Sequence, residues 1–424
     1  MSGLSYSNFD IPGSPPPSPC WGQEMVQAGP ELKRRIKIRP GAEAEAVIVL
    51  GAGGAFAPEL LHSLRLQGTG LIIGLDVQLT YVIEGVTYRN VDLCDFKGVR
   101  KFFSALESVL SERELKLTTI YDLSTTQTSP TSQKDREILS QGKEGLLDVL
   151  CESESDIRLL FMSTAEVYGA PEGAPYNEEH CKRPFNAYGR HKLYEEEQVL
   201  KAHNRQTRGG TLKTAALRCW TICMVNVDED GEVLSTRNYN DPFVMVAQKL
   251  SSAGVRVPVI GRNYEAQFHL AEEVAEVCVL LGSAPIDSNT WSGQAFNCVG
   301  TAATHTELRE VCFDVFSERD QKRPWWGVVA RGLLGGGSLP KPLFTTLARG
   351  LELAGGLLGA RDLGGRLPFL YRSTHMNTSK LEELLGAKLT QPEGSSSEEA
   401  VRRLALGICN GGDDALNMRR YQMY

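Results

Sequence analysis

An apolar run, AVIVL at residues 46–50, ends abruptly at GAGGAFAPELL, where glycines and alanines lead into a helical pattern. This junction restricts the fold more than any other stretch. A fully apolar strand is buried on both faces, and a helix that follows it within a few residues must fold back onto the sheet. Gly51, Gly54 and Ala57 give the spacing G-x-x-G-x-x-A. The first permits a tight turn, the second lets a pyrophosphate approach backbone N–H groups at the helix N-terminus, and the third allows close helix–sheet packing. Gly53 is expected to add slack, and Pro58 suits the first helical turn.

The same alternation continues. GLIIGLDV, TTIYDLS, IRLLFMST and KTAALRCWTIC read as strands; VRKFFSALESVL, ILSQGKEGLLDVLCES and the segment from Tyr188 to His203 read as helices. The expected class is therefore α/β, a Rossmann-like doubly wound parallel sheet with a smaller C-terminal substrate domain. Three regions are expected: a Pro/Ser/Gly-rich, mostly disordered extension at 1–44, a nucleotide-binding domain at 45–225, and a mixed α/β part at 226–424 woven onto the sheet. GSSSEEAVRRLALGICN reads as a closing amphipathic helix with a serine N-cap.

Asp76 ends the second strand about twenty residues after the turn, where a carboxylate meets a ribose diol and repels a 2′-phosphate. NAD is therefore expected over NADP. Asp92 and Leu93 open the next helical stretch, with Asp92 read either as its N-cap or as a group beside adenine.

The net charge of −7 and the lack of a long basic run point away from nucleic acid. Ten scattered cysteines without a CxxC pair suit a reducing, cytoplasmic setting, and Cys219 and Cys223 read as buried thiols rather than metal ligands. No run of about 18 apolar residues suggests a membrane span, and the first residues lack the pattern of a secretory signal.

The chemistry is carried by FMSTAEVYG and by PFNAYGRHK. Tyr188 and Lys192 are four apart and share a helix face. Thr164 ends a strand upstream of them. A phenol with an ordinary pKa of about 10 is a poor base at neutral pH. A neighbouring ammonium stabilises the phenolate, and a hydroxyl at Thr164 fixes the reacting oxygen.

With these residues in place, the chain resembles the extended short-chain dehydrogenase/reductases, the NAD-dependent epimerase/dehydratase group. GAGGAFA is similar to that family's nucleotide turn, VDLCD to its adenine-side acid, STAEVYG to its Ser/Thr strand end and YGRHK to its catalytic pair. The resemblance implies an enzyme with Thr164, Tyr188 and Lys192 as the catalytic set. It implies a cofactor held by Gly51, Gly54, Ala57, Asp76, Asp92, Leu93, Tyr188 and Lys192. It also implies a small-molecule substrate and a homodimer.

Departures bear on substrate. Ala165 stands where sugar dehydratases carry an acid, leaving Glu166 as a loop anchor or a base. Thr221 and Ala266 replace an Asn and an Arg that hold a sugar nucleotide's pyrophosphate, with Arg218, Arg256 and Arg262 read either as substitutes or as ordinary surface charges. The C-terminal text, LPKPLFTTLARGLELAGGLLG and HMNTSKLEELLG, resembles 3β-hydroxysteroid dehydrogenase-like members, and Trp325, Trp326, Leu343 and Phe344 are read either as lining an apolar pocket or as core packing, the commoner role of aromatics. Three functions follow: an oxidoreductase or epimerase acting on a secondary alcohol or ketone of sugar type, a reductase of a sterol-like or lipid-derived ketone, and a non-catalytic NAD-binding regulatory or scaffold protein.

Overall fold

Residues 46–50 are buried on both sides of their strand, and they divide by parity. Val47 and Val49 face one apolar core, while Ala46, Ile48 and Leu50 face another. This is strand β1 (Glu45–Leu50), the centre of the sheet. The structure, a computed structural model, describes residues 24–25, 38–79, 81–124, 133–169, 173–227, 232–237, 242–252, 254–298, 300–319, 338–340, 342, 346, 372–385 and 397–410. Most of the N-terminal extension, the tryptophans at 325 and 326, and the apolar stretch 343–367 apart from Thr346 lie outside the described residues.

From β1 the chain passes through α1 (Ala57–Leu66) to β2 (Leu71–Asp76), then to β3 (Thr87–Asn90). Helix α2 (Phe96–Glu112) precedes β4 (Lys116–Asp122), and α3 (Gln133–Leu150) precedes β5 (Ile157–Thr164). Helix α4 (Ala187–Lys201) then leads to β6 (Thr211–Cys219). These strands lie in the order β6-β5-β4-β1-β2-β3, all parallel. The order reverses between β1 and β4. That switch opens a crevice outside their carboxyl ends, the usual ligand position in a doubly wound sheet. Register there sets Leu50 beside Asp122, Asp122 beside Phe161, and Thr164 beside Cys219.

Leu60, Leu61 and Leu64 of α1 pack on one face of the sheet. Phe102, Phe103 and Leu106 of α2, Leu146, Leu147 and Leu150 of α3 and Val199 of α4 cover the other. Full burial of each such side chain stabilises the fold by about 1.5–3 kcal/mol.

The run KTAALRCWTIC is not one strand. It breaks at Trp220, and β7 (Thr221–Cys223) joins a separate three-stranded sheet. The hairpin β8 (Val225–Val227) and β9 (Val233–Thr236) and the helix α5 (Pro242–Ser251) follow. The small sheet is completed by β10 (Glu265–Leu270), parallel to β7, and later by an antiparallel strand at Ala302–Thr304. Helix α6 (Ala271–Gly282) returns to the large sheet beside α1, and β11 (Gln294–Asn297) extends that sheet next to β6. Helices α7 (His305–Arg319), α8 (Ser379–Leu385) and α9 (Ser397–Asn410) end the described chain. α5, α7 and α9 enclose a third core with β10. Ser397, the first residue of α9, is buried, and its hydroxyl accepts the Phe268 N–H at 2.8 Å, which fastens the helix to β10; the position before it, where the expected serine cap falls, lies outside the described residues.

Candidate active site

The nucleotide turn is tighter than its spacing suggests. Gly51 has a positive φ of 77°, and a Cβ there would lie 2.9 Å from the Leu123 carbonyl carbon. Gly53 does not supply slack. A Cβ at that position would lie 2.0 Å from the Gln78 carbonyl oxygen, so only glycine fits. The Gly53 N–H donates to Asp76 Oδ2 at 2.8 Å, and the Gln78 N–H donates to Oδ1 at 3.1 Å. Burial pushes the Asp76 carboxyl above its usual range, against the pull of the Gln78, Gly53 and Val77 N–H groups. Gly54 donates its N–H to the Gly51 carbonyl at 3.0 Å, and Ala57 is buried at the start of α1. A cradle that a side chain would fill, a helix N-terminus and a strand-end carboxylate thus stand together, which fits a dinucleotide.

Asp92 does not cap α2. Its carboxylate accepts the Cys94 N–H at 2.8 Å in a local turn, while Asp95 is the N-cap and accepts the Gly98 N–H at 3.1 Å. Leu93 packs against the core beneath α2 and α3.

At the end of β5 the pleat separates two hydroxyls. Ser163 turns toward α4 and donates to Glu196 Oε2 at 2.6 Å. Thr164 Oγ1 accepts the Glu166 N–H at 3.2 Å and so caps the short 3-10 turn Ala165–Tyr168. Asn186 is the N-cap of α4, accepting the Gly189 N–H at 2.7 Å, and its amide donates to the Glu166 carboxylate. Glu166 is thus bonded to the first turn of α4. Tyr188 and Lys192 follow in the first two turns of α4, Tyr188 half-buried and Lys192 buried.

Lys192 Nζ donates to the Met162 carbonyl at 3.0 Å and to the Ser124 carbonyl at 3.2 Å. It thereby bridges the ends of β5 and β4, on the switch-point side of the sheet. Burial pushes its pKa down; Glu195, 3.8 Å away, opposes this, and Lys143 reinforces it.

Buried charges surround the pair, and of these only Arg218 was singled out from the sequence. Arg218 of β6 donates to Glu196 from Nε at 2.9 Å and from Nη2 at 2.6 Å, and from Nη1 to the Tyr168 hydroxyl at 2.6 Å. Tyr168 in turn donates to Asn297 Oδ1 at 2.7 Å. Arg218 is therefore committed to holding α4 on the sheet and is not a substitute pyrophosphate ligand. Lys143 of α3 bonds the Asp122 carboxylate at the end of β4. The signal for Lys143 was its spacing: Lys143, Leu146 and Leu150 share one helical stripe, so a lysine falls where the pattern asks for an apolar residue.

Around the small sheet, Ala266 is buried in β10 opposite Ala303. Arg256 pairs with Glu310 at 2.7 Å on the surface, and Arg262 lies over the Tyr264 ring at 5.0 Å. Cys219 and Cys223 are both buried, one in each sheet. Among the described residues no helix is long and apolar enough to cross a membrane.

Comparison with known proteins agrees with this geometry. The family model described as NAD dependent epimerase/dehydratase family matches residues 47–223. No curated protein matches the chain. Among solved structures, the Bordetella bronchiseptica enzyme WbmG, in complex with NAD and UDP, is similar with a TM-score of 0.56 at 16% identity, over 86% of this chain and 96% of that one. UDP-glucose 4-epimerase of Thermus thermophilus, in complex with NAD, gives 0.54 at 19% identity, over 87% and 99%. The dTDP-glucose 4,6-dehydratase of Bacillus anthracis, in complex with NAD, gives 0.54 at 14% identity, over 88% and 98%. At these identities the likeness is one of fold. The matched residues 47–223 contain the nucleotide turn, Thr164, Tyr188 and Lys192, and they are similar to the NAD dependent epimerase/dehydratase family.

Proposed function

We propose that this chain is an NAD-dependent enzyme that oxidises or epimerises a secondary alcohol, with Thr164, Tyr188 and Lys192 as its catalytic residues. The observation that carries this is one placement. Lys192, one helical turn from Tyr188, reaches the backbone at the ends of β4 and β5, beside the crevice into which the Gly51–Ala57 turn also opens. Bound NAD supplies hydride acceptance and return. The chain's residues do the remainder. Gly51, Gly53 and the α1 N-terminus receive the pyrophosphate, and Asp76 receives the adenosine ribose. Thr164 holds the reacting oxygen, and Tyr188 takes its proton with help from the Lys192 charge.

Epimerisation or simple oxidation fits better than water loss. Ala165 offers no acid, and the Glu166 carboxylate is bonded to Asn186. A sugar-type substrate is the first reading, in keeping with the sugar-nucleotide enzymes among the structural neighbours. Ala266 at the expected arginine position and the committed Arg218 favour a second reading, an apolar alcohol or ketone without a diphosphate.

Fluorescence titration with NADH, followed by Tyr188→Phe, tests the proposal. We expect NADH to bind the variant as it binds the parent, and turnover to be lost. Unchanged turnover would remove Tyr188 from its role. NADH binding with no turnover on any secondary alcohol or ketone would favour the regulatory reading. Thermal protection by UDP, TDP and GDP sugars against sterols separates the two substrate readings.

A further inference from the structure

Behind Lys192 lies a second lysine that the proposed mechanism does not use. Lys143 and Lys192 are both buried and approach the same Phe161 ring, their Nζ atoms 4.9 and 4.5 Å from its centroid. Between them stands Glu195 of α4. Its Oε1 is 3.6 Å from Lys143 Nζ, and its Oε2 is 3.8 Å from Lys192 Nζ and 3.6 Å from His191 Nε2. Among the described residues Oε2 receives no hydrogen bond, although its carboxylate is buried. On the far side, Lys143 bonds Asp122 and lies 3.2 Å from Ser124 Oγ. Ser124 also supplies a carbonyl to Lys192.

We propose that Lys143 is a positioning residue for the Tyr188–Lys192 pair: held by Asp122, it draws one oxygen of Glu195 toward itself and leaves the other beside Lys192. The inference rests on the proposed roles of Tyr188 and Lys192. Asp122, Lys143, Glu195 and Lys192 form a line of alternating charge, with Glu196 neutralised separately by Arg218. Without Lys143, Glu195 has Lys192 as its principal counter-ion. The ammonium is then drawn along the helix, away from the Tyr188 end. The site also gains one net negative charge, and both changes disfavour a phenolate. Burial lowers the Lys143 pKa, but Asp122 and Glu195 outweigh it and hold Lys143 charged.

The test is the titration of the Tyr188–Lys192 pair, which interacting groups share. It is followed by NMR of 13C-labelled tyrosine in the full chain, with Tyr188→Phe to assign the signal. Lys143→Met is expected to raise the apparent pKa by about one unit, and Glu195→Gln to lower it. Lys143→Met combined with Glu195→Gln should return it toward the parent value, and Lys143→Arg should leave it near the parent. A merely structural lysine would give no such opposed signs. An unchanged titration in Lys143→Met, or shifts of the same sign in the two single variants, overturns the proposal. Should Lys143→Met fail to fold, Glu195→Gln decides alone, and no downward shift refutes it. NADH binding to the parent is measured separately, so failure of the cofactor reading is seen apart from failure of the charge line.

Discussion

Arg218 and Glu196 form a two-pronged ion pair with both side chains enclosed, Nε at 2.9 Å and Nη2 at 2.6 Å from the carboxylate. Burial opposes the Arg218 charge, yet the hydrogen bonds and charge of Glu196 outweigh it and hold the guanidinium protonated. Removing one partner strands the other charge in the interior. Arg218→Met should therefore destabilise the fold by about 3–5 kcal/mol. Arg218→Met with Glu196→Leu should lose less than that single change. Denaturant melts of the three proteins check the order.

Asn186 and Glu166 tie the start of α4 to the loop after β5. Asn186→Ala should cost about 1 kcal/mol of stability. Glu166→Ala should lower kcat about ten- to a hundredfold by misplacing the helix start. Glu166→Gln keeps an oxygen for Asn186 and should retain most of the parent rate. If the glutamine variant were as slow as the alanine variant, Glu166 would be a base instead of an anchor.

Asp76 meets the cofactor turn through Gly53. Asp76→Ser should weaken NADH binding by about tenfold, the loss of one charged hydrogen bond. The same change should improve NADPH relative to NADH, because the repulsion of a 2′-phosphate is gone. Parallel fluorescence titrations with the two nucleotides read both effects.

His305 is buried between Phe243 and Tyr264, with ring centroids 5.4 and 6.1 Å away. Burial lowers its pKa to about 4. The unfolded chain binds this proton near pH 6.5 and the folded one does not until about 4, so stability rises with pH across that window. On acidification from pH 6.5 to 4 the folded state should lose up to about 3 kcal/mol from this group. His305→Phe should flatten the acid limb of a stability–pH curve.

Much of the sheet was legible because buried parallel strands are written as short apolar runs, as β1, β2 and the LLFM part of β5 are, while β4 shows as a β-branched stretch, TTIY. The turn at Gly51 was legible from its glycines together with the strand before it and the helix after it, and the helix carrying Tyr188 from its charged pattern. The break at Trp220 was not legible, since apolar residues run through it and nothing local marks a change of sheet. Asp92 and Asp95 both precede α2, and only geometry shows that Asp95 caps it. Gly53 looked spare because its crowding comes from Gln78, twenty-five positions away. The line from Asp122 to Lys192 was hidden for the same reason: a charge reads as surface until the partner that neutralises it arrives from another element.

Trp220 has one more implication. The chain leaves the broad sheet at Cys219 and enters the narrow one at Thr221, and it crosses back without a linker where Leu270 of β10 meets Ala271 of α6. At both seams the two sheets are joined without spare residues. A bulky-to-small change at Trp220 is therefore expected to disturb both sheets together.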